Sequence, residues 1–302
     1  MFALLGVSVL FYLVRRTDTA KLGAVLERGT WSVPLLVGLE GTRIAVEAWG
    51  GRKLYTRRIP YPLLLRATLV SYAVAALVPA GRAAGESVKA GMLRRLTRIE
   101  DTAAAATTDQ TCSLLALGLW SLVCCVPALP VSRPLAAALA TQSALVLTGA
   151  ALVRGAAETT ALGRIVGHFS ARLRGTVDAV RQRAHAQRLR EPLGAFVVSR
   201  GVELIQYAVM LQAVTRHAAL VPALLAFGVA TLAGSIGDSV PVQLGVIGAT
   251  FYAAAGPLGI SGEAAVAVGL LAHVFQIVWV AIGLLTPLVW RVSLPTPARP
   301  RG

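Results

Sequence analysis

The stretch VPAGRAAGE, residues 78–86, decides the fold, and it follows directly on the apolar run LLLRATLVSYAVAAL. The apolar run is typical of a membrane helix, but Pro79 lacks the backbone N–H that a continuing helix needs. Arg82 and Glu86 then follow four residues apart. Charged side chains are costly inside a bilayer and usually mark functional positions there. The stretch therefore predicts a break in a membrane segment that also carries charge.

The composition of the whole chain indicates a membrane protein. Of its 302 residues, 56% are hydrophobic and 14% are charged, which excludes an ordinary soluble domain. We predict an all-α polytopic transmembrane bundle of about eight membrane helices, including broken or re-entrant segments, from windows near the span length of a bilayer. These apolar windows cover residues 31–50, 63–79, 102–126, 135–153, 193–214, 218–236 and 263–290, with shorter ones at 2–14 and 246–258.

The ends of the chain complete this domain organisation. The opening window 2–14 has no basic leader and no cleavage site, which indicates a first membrane helix inserted directly, as in a bacterial plasma (inner) membrane. Residues 1–293 would then form a single integral membrane domain. Residues 294–302 are rich in proline and predict a disordered tail.

Charge between the apolar windows predicts the orientation of the chain. The formal net charge is +15, and the longest polar insertion, residues 154–192, contains eight arginines against three acidic residues. The positive-inside rule places this basic loop in the cytoplasm. Loop arginines need no nucleic acid to explain them, so we do not predict a nucleic-acid partner.

Motifs of common enzymes and metal sites are absent from the sequence. The three cysteines fall inside one apolar window and read as small hydrophobic residues. No P-loop, His-Glu-x-x-His motif or other catalytic constellation is present. We therefore expect no metal, no cofactor and no enzymatic activity.

The break at residues 78–81 conflicts with a simple membrane span. Basic residues flank the apolar segment on both sides, at 52–58 and 94–98, so both flanks favour the cytoplasm. A re-entrant hairpin over about 61–93, broken at Pro79, satisfies both flanks. The alternative is an ordinary helix end at the interface, with residues 52–58 on the outside.

A second Val-Pro interruption lies in the other half of the chain, within residues 234–248. Pro241 and Gly245 mark this break as Pro79 marks the first. Paired interruptions of two halves are typical of transporters built from inverted repeats, with the site at the interface between the repeats. The pattern favours such a repeat here.

Three charges share one face of the window 31–50. Glu40, Arg43 and Glu47 are spaced by three and four residues, so they can neutralise one another on a helix. Glu40 lies about 14 Å along the helix from Trp31, near the middle of the span. Glu47 is expected nearer the interface, beside Trp49.

Further polar side chains lie inside other windows. Arg200, Glu203 and Gln206 recur at spacings of three in the window 193–214, and Asp109 lies inside the window 102–126. His273 falls in the last window. Each of these groups is a candidate site residue by its depth. The alternative for each is a satisfied pair that joins two helices without touching a ligand.

Three stretches together resemble the lysylphosphatidylglycerol synthase transmembrane region, a flippase-like family of integral membrane proteins. VPAGRAAGESVKAGMLRRL (78–96) is similar to the first proline–glycine stretch of the family, and VPVQLGVIGATFYAAAGPLGI (240–260) to the second. The segment 262–285 resembles its closing helix. Gly248 stands where the family commonly has glutamate, and His273 where it commonly has arginine.

The resemblance implies a protein that moves or accommodates lipids between leaflets, without the aminoacyl-transferring domain of the larger relatives. Its partner would be a membrane lipid, and we expect the cations Arg82, Lys89 and Arg200 to attract an anionic headgroup. Two alternatives remain: a scaffold acting through the basic loop, or an intramembrane lipid-modifying transferase. The residues predicted to bind or move the lipid are Glu40, Arg43, Pro79, Arg82, Glu86, Lys89, Asp109, Arg200, Glu203, Pro241, Gly245 and His273.

Overall fold

Helices form every regular element of the computed structural model, which describes residues 8, 11–12, 15, 17–55, 59–78, 81–158, 179–183, 189–216, 219–237, 240, 243 and 245–290. The all-α prediction is therefore confirmed. A short 3₁₀ turn, Thr30–Ser32, joins the helices Thr19–Gly29 and Val33–Arg52. The helices whose bounds lie within the described residues are, in chain order, α1 (Thr19–Gly29), α2 (Val33–Arg52), α3 (Tyr61–Leu77), α4 (Gly81–Leu93), α5 (Ile99–Ala128), α6 (Arg133–Glu158), α7 (Arg190–Thr215), α8 (Leu220–Gly237), α9 (Val246–Ala253), α10 (Ala255–Leu258) and α11 (Gly262–Val289).

Five of these helices, α5, α6, α7, α8 and α11, are long and apolar enough to cross a membrane. They match five of the predicted windows and confirm a polytopic helical bundle. The window 246–258 forms two short helices, α9 and α10, with a break at Ala254. The opening window 2–14 and the tail 294–302 lie largely or wholly outside the described residues, as does most of the basic loop.

Helix α2 has the length of a membrane span despite its charges. Trp31 and Trp49 are exposed near its two ends, about 27 Å apart along the axis. Tryptophan favours the two interfaces of a bilayer, whose hydrocarbon core is about 30 Å thick. Glu40 lies midway between these two tryptophans. It is buried on the stripe of α2 that also buries Leu36 and Ile44.

The predicted break at residues 78–81 is present, and α3 and α4 form an antiparallel hairpin. Val78 is extended, with φ −104° and ψ 135°, so it ends α3. A Cβ atom added at Gly81 would overlap the backbone of Ala75, and one added at Gly85 would lie 2.6 Å from the backbone oxygen of Ser71. The two helices thus pack backbone to backbone. Entry of this hairpin from the cytoplasm stays a prediction.

Helix packing follows a twofold pattern. Helix α2 packs against α7. The pair α3 and α4 corresponds to the pair α8 and α9. The contact of α3 with α11 corresponds to the contact of α8 with α5. Contacts of α2 with α11 and of α7 with α5 complete the pattern. Exchanging α2, α3, α4 and α5 with α7, α8, α9 and α11 reproduces these contacts, whereas the packing of α7 against α11 has no comparable counterpart between α2 and α5. This is the arrangement that two related halves predict.

Candidate functional site: a charged cavity between two broken hairpins

A cavity of about 820 Å³ lies where the two helix breaks meet. Ala75 and Gly81 from the first hairpin line it, together with Gly237 and Gln243 from the second. Glu40, near the middle of α2, lines it as well. The two interruptions, far apart in the sequence, therefore face one common space at the centre of the bundle.

The cavity collects the charges that the sequence placed at membrane depth. Among its described lining residues are five acidic and four basic side chains, so the lining has a net charge of −1 when all are ionised. Most of the predicted site residues are therefore brought together. The charged lining residues are Glu40, Arg43, Glu47, Arg82, Glu86, Lys89, Asp109, Arg200 and Glu203.

The central cluster is an ion-pair triad on α2 that α7 completes. The guanidinium of Arg43 contacts Glu40 Oε1 at 2.6 Å and Glu47 Oε1 at 2.8 Å. From α7, the amide of Gln206 donates to Glu40 Oε2 at 3.0 Å, and the hydroxyl of Ser199 donates to Glu47 Oε1 at 2.7 Å. The predicted neutralisation on α2 is confirmed, and the triad also joins the two halves of the bundle.

The expected depth of Glu47, near the interface beside Trp49, stays a prediction. Its side chain lines the cavity, which the sequence did not predict. The reason is local, because Arg43 lies one turn away and Ser199 approaches from α7. Ser199 gave no signal in the sequence, since a single serine in an apolar window is common.

Two further ion pairs reduce the number of cations that are available to attract an anion. Arg200 contacts Glu203 at 2.6 Å on α7, and Lys89 contacts Glu86 at 3.2 Å on α4. Two of the three cations expected to attract an anion are thus already neutralised within the protein. Among the residues that the structure describes, neither Arg82 nor Asp109 forms an ion pair or a side-chain hydrogen bond, although Lys89 acts electrostatically on Asp109.

Several polar atoms of the lining have no protein partner in the described part of the chain. Arg200 Nε, Thr68 Oγ1 and Gln276 Oε1 are buried from solvent and make no hydrogen bond there. Buried polar groups in native proteins are usually satisfied by protein, water or a ligand. The cavity wall therefore offers donors and acceptors in addition to its charges.

The remaining predicted residues lie elsewhere. His273 is buried on α11 and is not part of the cavity lining, although Gln276, one turn further on, is. Gly245 precedes α9 with φ 75°, a conformation that favours glycine. It shapes the second break without lining the cavity. Pro79 and Pro241 lie outside the described residues.

A helical bundle with five helices of membrane-spanning length, four of which line a charged cavity, defines a multi-pass integral membrane protein. The chain belongs to the lysylphosphatidylglycerol synthase transmembrane-region family, whose model matches residues 2–283. The resemblance found in the sequence is thereby confirmed. No curated protein and no solved structure matches the chain.

Proposed function

We propose that this protein moves or accommodates the headgroup of a membrane lipid in the central cavity, between the leaflets of a bacterial plasma (inner) membrane. One observation carries the proposal: nine charged side chains converge in a cavity bounded by two broken hairpins, beside a helix of spanning length. Charge at membrane depth is costly and is usually kept where a polar substrate passes. The family is named after the membrane region of a lipid synthase, and this supports a lipid as the substrate.

The lipid phosphate would first meet Arg82. This residue is exposed, lines the cavity at the start of α4 and forms no ion pair within 4 Å with any described acidic side chain. A guanidinium binds phosphate through two parallel charge-assisted hydrogen bonds. Lys89 and Arg200 contribute less to attraction, because Glu86 and Glu203 neutralise them.

The ion pairs would provide the path beyond this contact. A headgroup in the cavity meets paired charges and unsatisfied polar atoms, which replace part of its hydration shell, while the acyl chains stay in the bilayer. The sequence contains no nucleotide-binding motif. We therefore propose translocation that is scramblase-like or driven by an ion gradient, without enzymatic change of the lipid.

Arg82→Gln should slow lipid translocation by about 10- to 100-fold, because a hydrogen bond to a charged group contributes about 1.5–3 kcal/mol. The measurement is the accessibility of a fluorescent short-chain phospholipid to an impermeant quencher in liposomes that contain the purified protein. Arg94→Gln is the matched control, since Arg94 is exposed just after α4 and is not a lining residue. It should translocate lipid at the wild-type rate.

Two results would contradict the proposal. If wild-type protein translocates no lipid from a panel of anionic and zwitterionic phospholipids, a scaffold that acts through the basic loop 154–192 gains support. If mass spectrometry shows that the lipid returns chemically altered, the protein is a transferase. Equal loss in Arg82→Gln and Arg94→Gln would remove Arg82 from the path.

A further inference from the structure

Asp109 is the one acidic lining residue, among those described, that no ion pair neutralises. It lies on α5, ten residues after Ile99 and so about 15 Å along the helix. From the neighbouring helix α7, the pair Arg200–Glu203 lines the same cavity. The charged and titratable groups that act on Asp109, or on which it acts, are Lys89, Glu86 and Arg82 from α4, Glu47 from α2, Tyr55 from the loop before α3, and Cys112 on α5 itself.

The charge balance of the cavity makes an additional anion unfavourable. The triad of Arg43 with its two glutamates has a net charge of −1, and the pairs Lys89–Glu86 and Arg200–Glu203 are neutral. In this sum the positive charge of Arg82 and the negative charge of Asp109 cancel. A phosphate would add at least one further negative charge to a lining that already has an excess of one. Uncompensated charge of this kind is strongly disfavoured away from bulk water.

We propose that Asp109 takes up a proton when the lipid phosphate enters, and that translocation is therefore coupled to protons. This inference rests on the proposed function. The proton comes from the aqueous phase, forms an O–H bond on the carboxylate of Asp109, and leaves that oxygen when the phosphate departs on the other side. Arg82 then remains as the compensating charge for the phosphate. By thermodynamic linkage, protonation of Asp109 strengthens phosphate binding, and bound phosphate equally strengthens proton binding to Asp109.

The surroundings of Asp109 favour a proton over a headgroup ammonium. The side chain of Lys89 is 9% exposed and already places an ammonium beside this carboxylate. The ammonium of a lipid headgroup would be repelled by the Lys89 ammonium. A proton on Asp109 instead forms a neutral carboxylic acid and adds no second ammonium beside Lys89. The other lining carboxylates are poorer candidates, because each already has a basic partner at 2.6–3.2 Å.

The test uses fluorescent short-chain phosphatidylglycerol in liposomes with the intact protein. Wild-type translocation, measured at a series of pH values equal on both sides, should fall as pH rises, by up to about tenfold per pH unit, the limit for one linked proton. An imposed pH gradient, acidic on the side of lipid addition, should accumulate the lipid in the opposite leaflet. Asp109→Asn should lose both responses. Glu27→Gln, an exposed acidic residue on α1, should keep both.

The outcomes separate this inference from the proposed function. Wild-type translocation that is independent of pH, without accumulation under a gradient, overturns the proton coupling and leaves lipid translocation standing. Translocation of ammonium-bearing lipids that needs Asp109 but not protons also overturns it. If Asp109→Asn does not fold, Asp109→Glu decides: this titratable variant must keep a pH-dependent rate, and a flat profile counts against the inference.

Discussion

Replacing Arg43 with methionine should lower the free energy of unfolding by about 3–5 kcal/mol, the cost of leaving a buried charge without its partner. Two carboxylates, Glu40 and Glu47, would remain in the cavity lining with Gln206, Ser199 and Tyr72 as neutral partners. A protein is typically stable by about 5–15 kcal/mol, so this loss is large. Thermal unfolding of the purified protein in detergent would measure it.

Restoring neutrality should rescue the protein. The triple variant Arg43→Met, Glu40→Gln, Glu47→Gln removes the net charge of the triad, and replacing a whole buried ion-pair group by neutral residues is often tolerated. We expect it to recover most of the lost melting temperature. Arg28→Met is the control, because Arg28 is exposed on α1 and bonds only the backbone oxygen of Ala24 among described residues. Wild-type stability of Arg43→Met alone would show that the triad is dispensable for folding.

Helical spacing was sufficient to predict contacts within one helix. Glu40, Arg43 and Glu47 recur at three and four residues, and any α-helix brings such side chains to one face. The same rule predicted the Arg200–Glu203 pair. The break at residues 78–81 was predictable from Pro79, which lacks the N–H that a continuing helix needs.

Contacts between helices required the structure. The bonds from Gln206 to Glu40 and from Ser199 to Glu47 depend on the rotation of α7 against α2, which no local pattern encodes. The same limit applies to the availability of charge. Helical spacing allows Glu86 to pair with either Arg82 or Lys89, and the structure pairs it with Lys89.

The close approach of the first hairpin leads to the second large effect. Gly81→Ala should destabilise the protein by about 1–3 kcal/mol, the usual cost of overpacking, because the added methyl group would meet the backbone of Ala75 and not a flexible side chain. Backbone atoms can yield only if α3 and α4 separate. Gly85→Ala should act in the same direction, since its methyl group would meet the backbone oxygen and the hydroxyl of Ser71.

Gly91→Ala is the matched control on the same helix, because no atom lies within 4 Å of its added Cβ. Alanine favours a helix over glycine by up to about 1 kcal/mol, so Gly91→Ala should be neutral or stabilising. The comparison of melting temperatures therefore separates the tight contact from the general effect of replacing glycine in α4. Since Gly81 also lines the cavity next to Arg82, lipid translocation should fall in Gly81→Ala and not in Gly91→Ala. Equal behaviour of the two variants would mean that the hairpin does not need this close packing to hold the cavity open.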